Sequence, residues 1–99
     1  MMIQFQAVNF SLKSNVSTFI NKRLQKLENY HDHLIKVDVY LKVENTSEKE
    51  NKMVELRVHV PGDEFLVKKV CKTFEESIDA SAKAIERLLI KSKEKNRAY

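Results

Sequence analysis

The chain is 99 residues long, 42% hydrophobic and 32% charged, with a net charge of +4. These proportions fit one globular domain and exclude a disordered chain, and no apolar run approaches the roughly 18 residues that a bilayer requires. A single cysteine, Cys71, excludes an internal disulfide, and the start Met1-Met2-Ile3-Gln4-Phe5-Gln6 lacks the basic and apolar regions of a secretion signal, so the cytoplasm is the expected compartment.

Residues 2–8 alternate, with Ile3, Phe5 and Ala7 on one side and Gln4 and Gln6 on the other, which predicts a strand. From Ser14 to Tyr30 the period lengthens. Val16, Phe19, Ile20, Leu24 and Leu27 trace the apolar stripe of a helix that Ser14 or Asn15 can cap. Residues 35–44 alternate again: Val37, Val39, Leu41 and Val43 face in, Asp38, Tyr40, Lys42 and Glu44 face out. The stretch Asn45–Asn51 has no apolar residue and predicts the longest loop. Val54, Leu56, Val58 and Val60 then alternate with Glu55, Arg57 and His59.

Pro61-Gly62 predicts a type II turn, because proline presets the first central position and glycine tolerates the positive φ of the second. Phe65 and Val67 continue the inward face of the strand that follows. Thr73-Phe74-Glu75-Glu76 has the form of a capping box, and Phe74, Ile78, Ala82, Ile85 and Leu89 mark the core stripe of the last helix. The order β-α-β-β-β-α predicts an α+β fold, a four-stranded mixed sheet with two helices packed on one face. Residues 1–99 are expected to form this one domain.

Charge is unevenly placed. From Lys83 to Arg97 six basic residues stand against two acids, an excess of +4 that equals the whole-chain value. Lys83, Arg87, Lys91 and Lys95 recur every four residues, so a helix stacks them in a column of like charges, at a cost of about 0.2–0.5 kcal/mol per pair. With Ile78 at the core, a 100° step puts Arg87 diametrically opposite, with Lys83 and Lys91 within roughly 40° of it. Lys22, Arg23 and Lys26 form a second cluster, while Glu44, Glu48, Glu50 and Glu55 bracket the polar loop. Such polarity favours a polyanion on one face. A solvated helix end that complements its own dipole is the plainer alternative.

Catalytic and metal chemistry find little support. His31-Asp32-His33 offers three ligand groups at a helix end, but a structural zinc site needs four ligands, and His59 and Cys71 have no partner motif nearby. Cys71 lies among Lys68, Lys69 and Lys72, yet one cysteine beside a capping box reads as a packing residue. Gly62 is the single glycine, which excludes a glycine-rich phosphate loop. Neither an enzyme nor a cofactor is expected. Tyr40 and His59 on the open sheet face make a poor base-stacking platform among Asp38, Glu44 and Glu55.

The run Arg23-Leu24-Gln25-Lys26-Leu27-Glu28-Asn29-Tyr30-His31-Asp32, followed by Val37-Asp38-Val39-Tyr40-Leu41-Lys42-Val43-Glu44, resembles the ribosome hibernation-promoting factor family. This family is also called the ribosome-associated inhibitor or sigma-54 modulation proteins. The second half agrees. His59-Val60-Pro61-Gly62 stands at the family's asparagine-glycine hairpin, Ser77-Ile78-Asp79-Ala80 at its helix start, and Glu86-Arg87 with Lys91-Ser92-Lys93-Glu94-Lys95 at its basic helix end. The likeness spans essentially the whole chain in order.

Three departures stand out. Ala84 occupies the place of a common lysine, with Lys83 beside it, which shifts that contact by one position. His31 replaces an aromatic residue, and Pro61 replaces the hairpin asparagine. The chain resembles the family's short form, without the C-terminal dimerisation domain of long members. The resemblance implies the same β-α-β-β-β-α fold and a translation inhibitor of the small ribosomal subunit. Such a protein binds in the channel shared by messenger and transfer RNA and blocks initiation in starvation or stationary phase.

Implied partners are the small subunit and its RNA, with a separate ribosome-dimerising factor as a further candidate. No membrane is expected as a partner, and the chain is expected to be a monomer off the ribosome. Candidate RNA contacts are Lys22, Arg23, Lys26, Lys83, Arg87, Lys91, Lys93 and Lys95. Two alternatives remain open at this point. Lys68-Lys69-Val70-Cys71-Lys72 faintly resembles the lysine cluster of double-stranded RNA modules, and the basic face also suits an acidic protein, as in a transcription modulator.

Overall fold

Four strands and two helices account for the alternations and stripes in the sequence. In the computed structural model, which describes residues 1–8 and 10–97 (the side chains of 95–97 excepted), they are β1 (Met2–Val8), α1 (Ser14–Gln25), β2 (Lys36–Val43), β3 (Lys52–Val60), β4 (Asp63–Cys71) and α2 (Phe74–Arg97). The sheet order is β1-β2-β3-β4. β1 runs parallel to β2, from Met2 opposite Lys36 to Val8 opposite Lys42, and β2, β3 and β4 form an antiparallel meander. The expected mixed sheet and α+β order are therefore observed.

The inward rows meet both helices in one core. Val37, Val39 and Leu41 of β2 and Val54, Leu56, Val58 and Val60 of β3 are buried against Ile20 and Leu24 of α1 and Ile78, Ala82, Ile85 and Leu89 of α2. Apart from Val60 (6%) and Val39 (2%), these residues have no exposed surface, so each contributes nearly its full burial free energy, about 1.5–3 kcal/mol for a valine or leucine. Near its start α2 presents buried Ser77 and Ser81 to the sheet. The Ser77 hydroxyl is 2.6 Å from the Lys52 carbonyl oxygen of β3 and 3.1 Å from that of Thr73, and the Ser81 hydroxyl donates to the Ser77 carbonyl. Small side chains here let the helix approach, and their hydroxyls are satisfied within the protein.

Three local expectations are revised. The first helix is not α-helical to Tyr30: α1 ends at Gln25 and a 3₁₀ turn covers Lys26–Asn29. Neither Ser14 nor Asn15 caps it. Lys13 occupies the capping position in extended conformation, with no side-chain bond to the first turn. Phe19, expected in the core stripe, is 38% exposed. At the other helix the Thr73 hydroxyl accepts from the Glu76 N–H at 3.1 Å, the threonine half of the expected capping box.

Candidate nucleic-acid interface

Topology decides where the two basic clusters lie. β1 and β2 are parallel, so α1 returns antiparallel to both, and β4 points the same way as β2, so α2 also runs back against it. The two helices are thus parallel neighbours. Their C-terminal ends, with Lys22 on α1 and Lys26 in the 3₁₀ turn after it, and Arg87, Lys91 and Lys93 on α2, point towards the same end of the molecule. Both macrodipoles are negative there, and the basic side chains complement them.

Arg23 locks the pair together. Its Nε lies 3.0 Å from Asp79 Oδ1, and its two terminal nitrogens lie 2.8 and 3.3 Å from the two oxygens of Glu86. The Arg23 and Glu86 side chains are only 13% and 14% exposed. Hydrogen bonding to Glu86 raises the arginine pKa above its ordinary value, against the opposing effect of burial, with Asp79 adding to the rise. Asp79 in turn is held below the usual carboxylate range by hydrogen bonds from Arg23 and Lys83. This planar, bidentate arrangement is one that lysine cannot reproduce.

The Arg23 contacts also orient both helices about their axes. Asp79 and Glu86 mark the flank of α2 that faces α1, at roughly 80–100° from Ile78. Counted the same way, Lys83 stands at roughly 140°, Arg87 at 180° and Lys91 at 220°, so the column sweeps outward from the interhelical groove as it descends. Lys83 is 60% exposed and pairs with Asp79 at 3.1 Å. Arg87, Lys91 and Lys93 are exposed, as are Lys22 on α1 and Lys26 in the 3₁₀ turn that follows it. The side chain of Lys95 lies outside the described residues.

The last turns of α2 clear the sheet. Twenty-four helical residues extend about 36 Å, whereas the nine residues of β4 span about 30 Å. Among the described residues Leu89 is the last that is fully buried, and Ile90 is already 43% exposed. That overhang explains why Lys93, which the helical wheel turns towards the core, is exposed.

Seven of the eight candidate cations can thus be located. Lys22, Lys26, Lys83, Arg87 and Lys91 lie on the solvent side of the helical layer, Lys93 projects from the overhanging end of α2, and Arg23 lies beneath as an interhelical tie. Sequence reasoning missed Asp79 and Glu86 as the receiving side of that tie. The available signal was Glu86, an acid seven residues after Asp79 and so on the same helical flank, inside a mostly basic segment.

The opposite surface differs in character. Met2–Lys36–His59–Glu64 and Gln4–Asp38–Arg57–Leu66 form cross-strand rows on the open sheet face. Polar groups there are matched in place: Arg57 lies 3.1 Å from Glu64 and Lys36 3.7 Å from Asp38, while His59 Nε2 is within hydrogen-bond distance of Asp38 at 3.0 Å. Tyr40 lines a shallow depression of about 420 Å³ together with Gln4, Gln6, Asp38, Glu55 and Arg57. Among the described residues no three histidine, cysteine or acidic groups are placed to hold a metal, and no helix is long and apolar enough to cross a membrane.

A sequence model of the family described as sigma 54 modulation protein / S30EA ribosomal protein matches residues 3–97. The chain belongs to this family. No significant match is found among curated proteins. Two solved structures share the fold. The N-terminal domain of Thermus thermophilus Protein Y superposes with a TM-score of 0.80 at 20% identity, covering 92% of this chain and 98% of that one. A ribosomal subunit interface protein from Coxiella burnetii gives 0.83 at 18% identity, covering 94% and 98%. Family membership and fold together confirm the likeness seen in the sequence. Ala84 and Lys83 differ by 100° of rotation, so Lys83 stands on the groove side of α2 and the uncharged Ala84 away from it.

Proposed function

We propose that this protein is a ribosome-binding hibernation factor. It occupies the small subunit in the channel shared by messenger and transfer RNA, blocks initiation, and keeps idle ribosomes intact in starvation or stationary phase. The reading rests on family membership and on one structural observation: five exposed cations, Lys22, Lys26, Lys83, Arg87 and Lys91, lie on the solvent side of two parallel helices that a nearly buried arginine ties together. Folded RNA presents phosphates in fixed positions, and a rigid cationic surface recognises it by shape and backbone contact rather than by reading base edges. Arg87 supplies a forked donor for phosphate, while Lys22, Lys26, Lys83, Lys91 and Lys93 act as point charges. Arg23 serves by holding the two helices in register.

The test is co-sedimentation of the Arg87→Glu/Lys91→Glu double variant with small ribosomal subunits. Binding is expected to fall at least roughly tenfold, and the slope of log K against log salt to flatten by about 0.7–0.9 for each phosphate no longer neutralised. Undiminished binding of a folded double variant defeats the assignment. Equal affinity of the wild type for plain RNA duplex points instead to a generic double-stranded RNA module.

A further inference from the structure

Phe19 is out of place by the ordinary logic of an amphipathic helix. It sits four residues before Arg23, so it lies on the flank of α1 that Arg23 turns towards α2, rotated about 40° to the outside. There it is 38% exposed, although Ile20 beside it is fully buried. Because the helices are parallel and Arg23 reaches both Asp79 and Glu86, Phe19 stands at the Asp79 end of the groove. Lys22 follows it by three residues, within about 5–6 Å between Cβ atoms, and Lys83 rises from the facing helix one turn after Asp79.

The groove is graded in charge. Along its floor Arg23 is held between Asp79 and Glu86, and Lys83, 60% exposed, meets Asp79 from the rim, so these four charges cancel. The rims carry the exposed charge of Lys22, Lys26 and Arg87. A phosphate has no reason to enter a floor lined by Asp79 and Glu86, whereas an uncharged aromatic base loses little by doing so. An exposed phenyl ring flanked by lysines is the arrangement by which single-stranded nucleotides are held, the base on the ring and the backbone on the cations.

We propose that Phe19 is a stacking platform for an unpaired RNA base, with Lys22 taking an adjacent phosphate. The assignment rests on the RNA-binding reading above and adds a contact to it that does not depend on charge. It also separates Phe19 from the ordinary scattered surface hydrophobe, whose removal leaves binding unchanged.

The chain contains no tryptophan, so Phe19→Trp introduces a single reporter at this position. Titration of that variant with purified small ribosomal subunits is expected to quench its emission, as a base stacks on the indole. In parallel, Phe19→Ala is expected to weaken binding roughly 5- to 150-fold with an unchanged salt slope, while Phe19→Tyr keeps wild-type affinity. Phe19→Leu, which preserves apolar bulk and so the fold, should bind as poorly as the alanine variant. Full affinity in the leucine variant, or undiminished binding by the alanine variant, overturns the stacking role and leaves ribosome binding standing. A Phe19→Ala defect that persists against RNA-free small-subunit proteins assigns the ring to a protein contact and also overturns it. Failure of the wild type to bind small subunits removes both readings.

Discussion

Arg23 carries a full charge into a site where its side chain keeps only 13% of its exposure, and two carboxylates meet it there. Desolvation of the guanidinium is offset by three charge-assisted bonds, so the tie holds as long as all its members remain. Removing the cation strands Glu86 at 14% exposure without its partner. Arg23→Met is therefore expected to destabilise the protein by about 3 kcal/mol at pH 7, the low end for a broken buried pair. Adding Glu86→Met should recover part of that loss, which urea unfolding can measure. The pH dependence follows from the sign of the Asp79 shift. Its folded pKa is depressed, so its contribution is complete above the unfolded value of about 3.9 and fades as pH falls through the lower folded value. The gap between wild type and Arg23→Met should accordingly narrow below about pH 4. In the sequence Arg23 is one of three neighbouring cations, and the rotation that buries it while Lys22 stays exposed is visible only once α2 is in place.

At the scale of elements, alternation is a strong guide because one sheet face is covered by helices and the other is open, so each strand has to sort its residues. The first helix is shorter than its apolar stripe suggests, for a physical reason. Leu24, Leu27 and Tyr30 are three apart, a spacing that an α-helix and a 3₁₀ turn both place on one face. The buried part of that stripe is also narrower than its sequence pattern, because a phenylalanine at the edge of a stripe has the same signature whether it packs or faces a groove. The hairpin shows how a turn constrains its sequence. Val60 pairs with Asp63, leaving Pro61 and Gly62 as a two-residue loop. Proline cannot adopt the positive φ of a type I′ turn, so the one positive φ falls on Gly62, at +77°, where glycine adopts it without strain. A Cβ there meets nothing within 4 Å, so the cost of a side chain is entirely conformational. Gly62→Ala is expected to lower stability by about 1–2 kcal/mol without altering ribosome binding, as thermal melts and co-sedimentation will report.

As a whole the molecule is polarised between its two faces. The helical side concentrates exposed cations, whereas the sheet side pairs cations with anions across strands through Arg57–Glu64 and Lys36–Asp38. A net charge of +4 by itself attracts any polyanion, so the decisive question is whether position or total charge controls binding. Two double variants separate these. Arg87→Glu/Lys91→Glu removes four units of charge from the helical face, and Lys42→Glu/Lys68→Glu removes the same four from the open sheet face. Lys68 lies opposite Glu55, so its reversal adds a like-charge pair that costs up to about 1 kcal/mol of stability, small against the whole fold. If the helices form the interface, the sheet variant keeps the wild-type salt slope, because that slope counts phosphates neutralised at contact, and binds with only modestly lower affinity through the weaker long-range field. The helical variant should show both a lower affinity and a flatter slope at identical net charge. Equal effects in the two variants would mean that overall charge governs association, and that the parallel helices with their arginine tie present no defined surface to the ribosome.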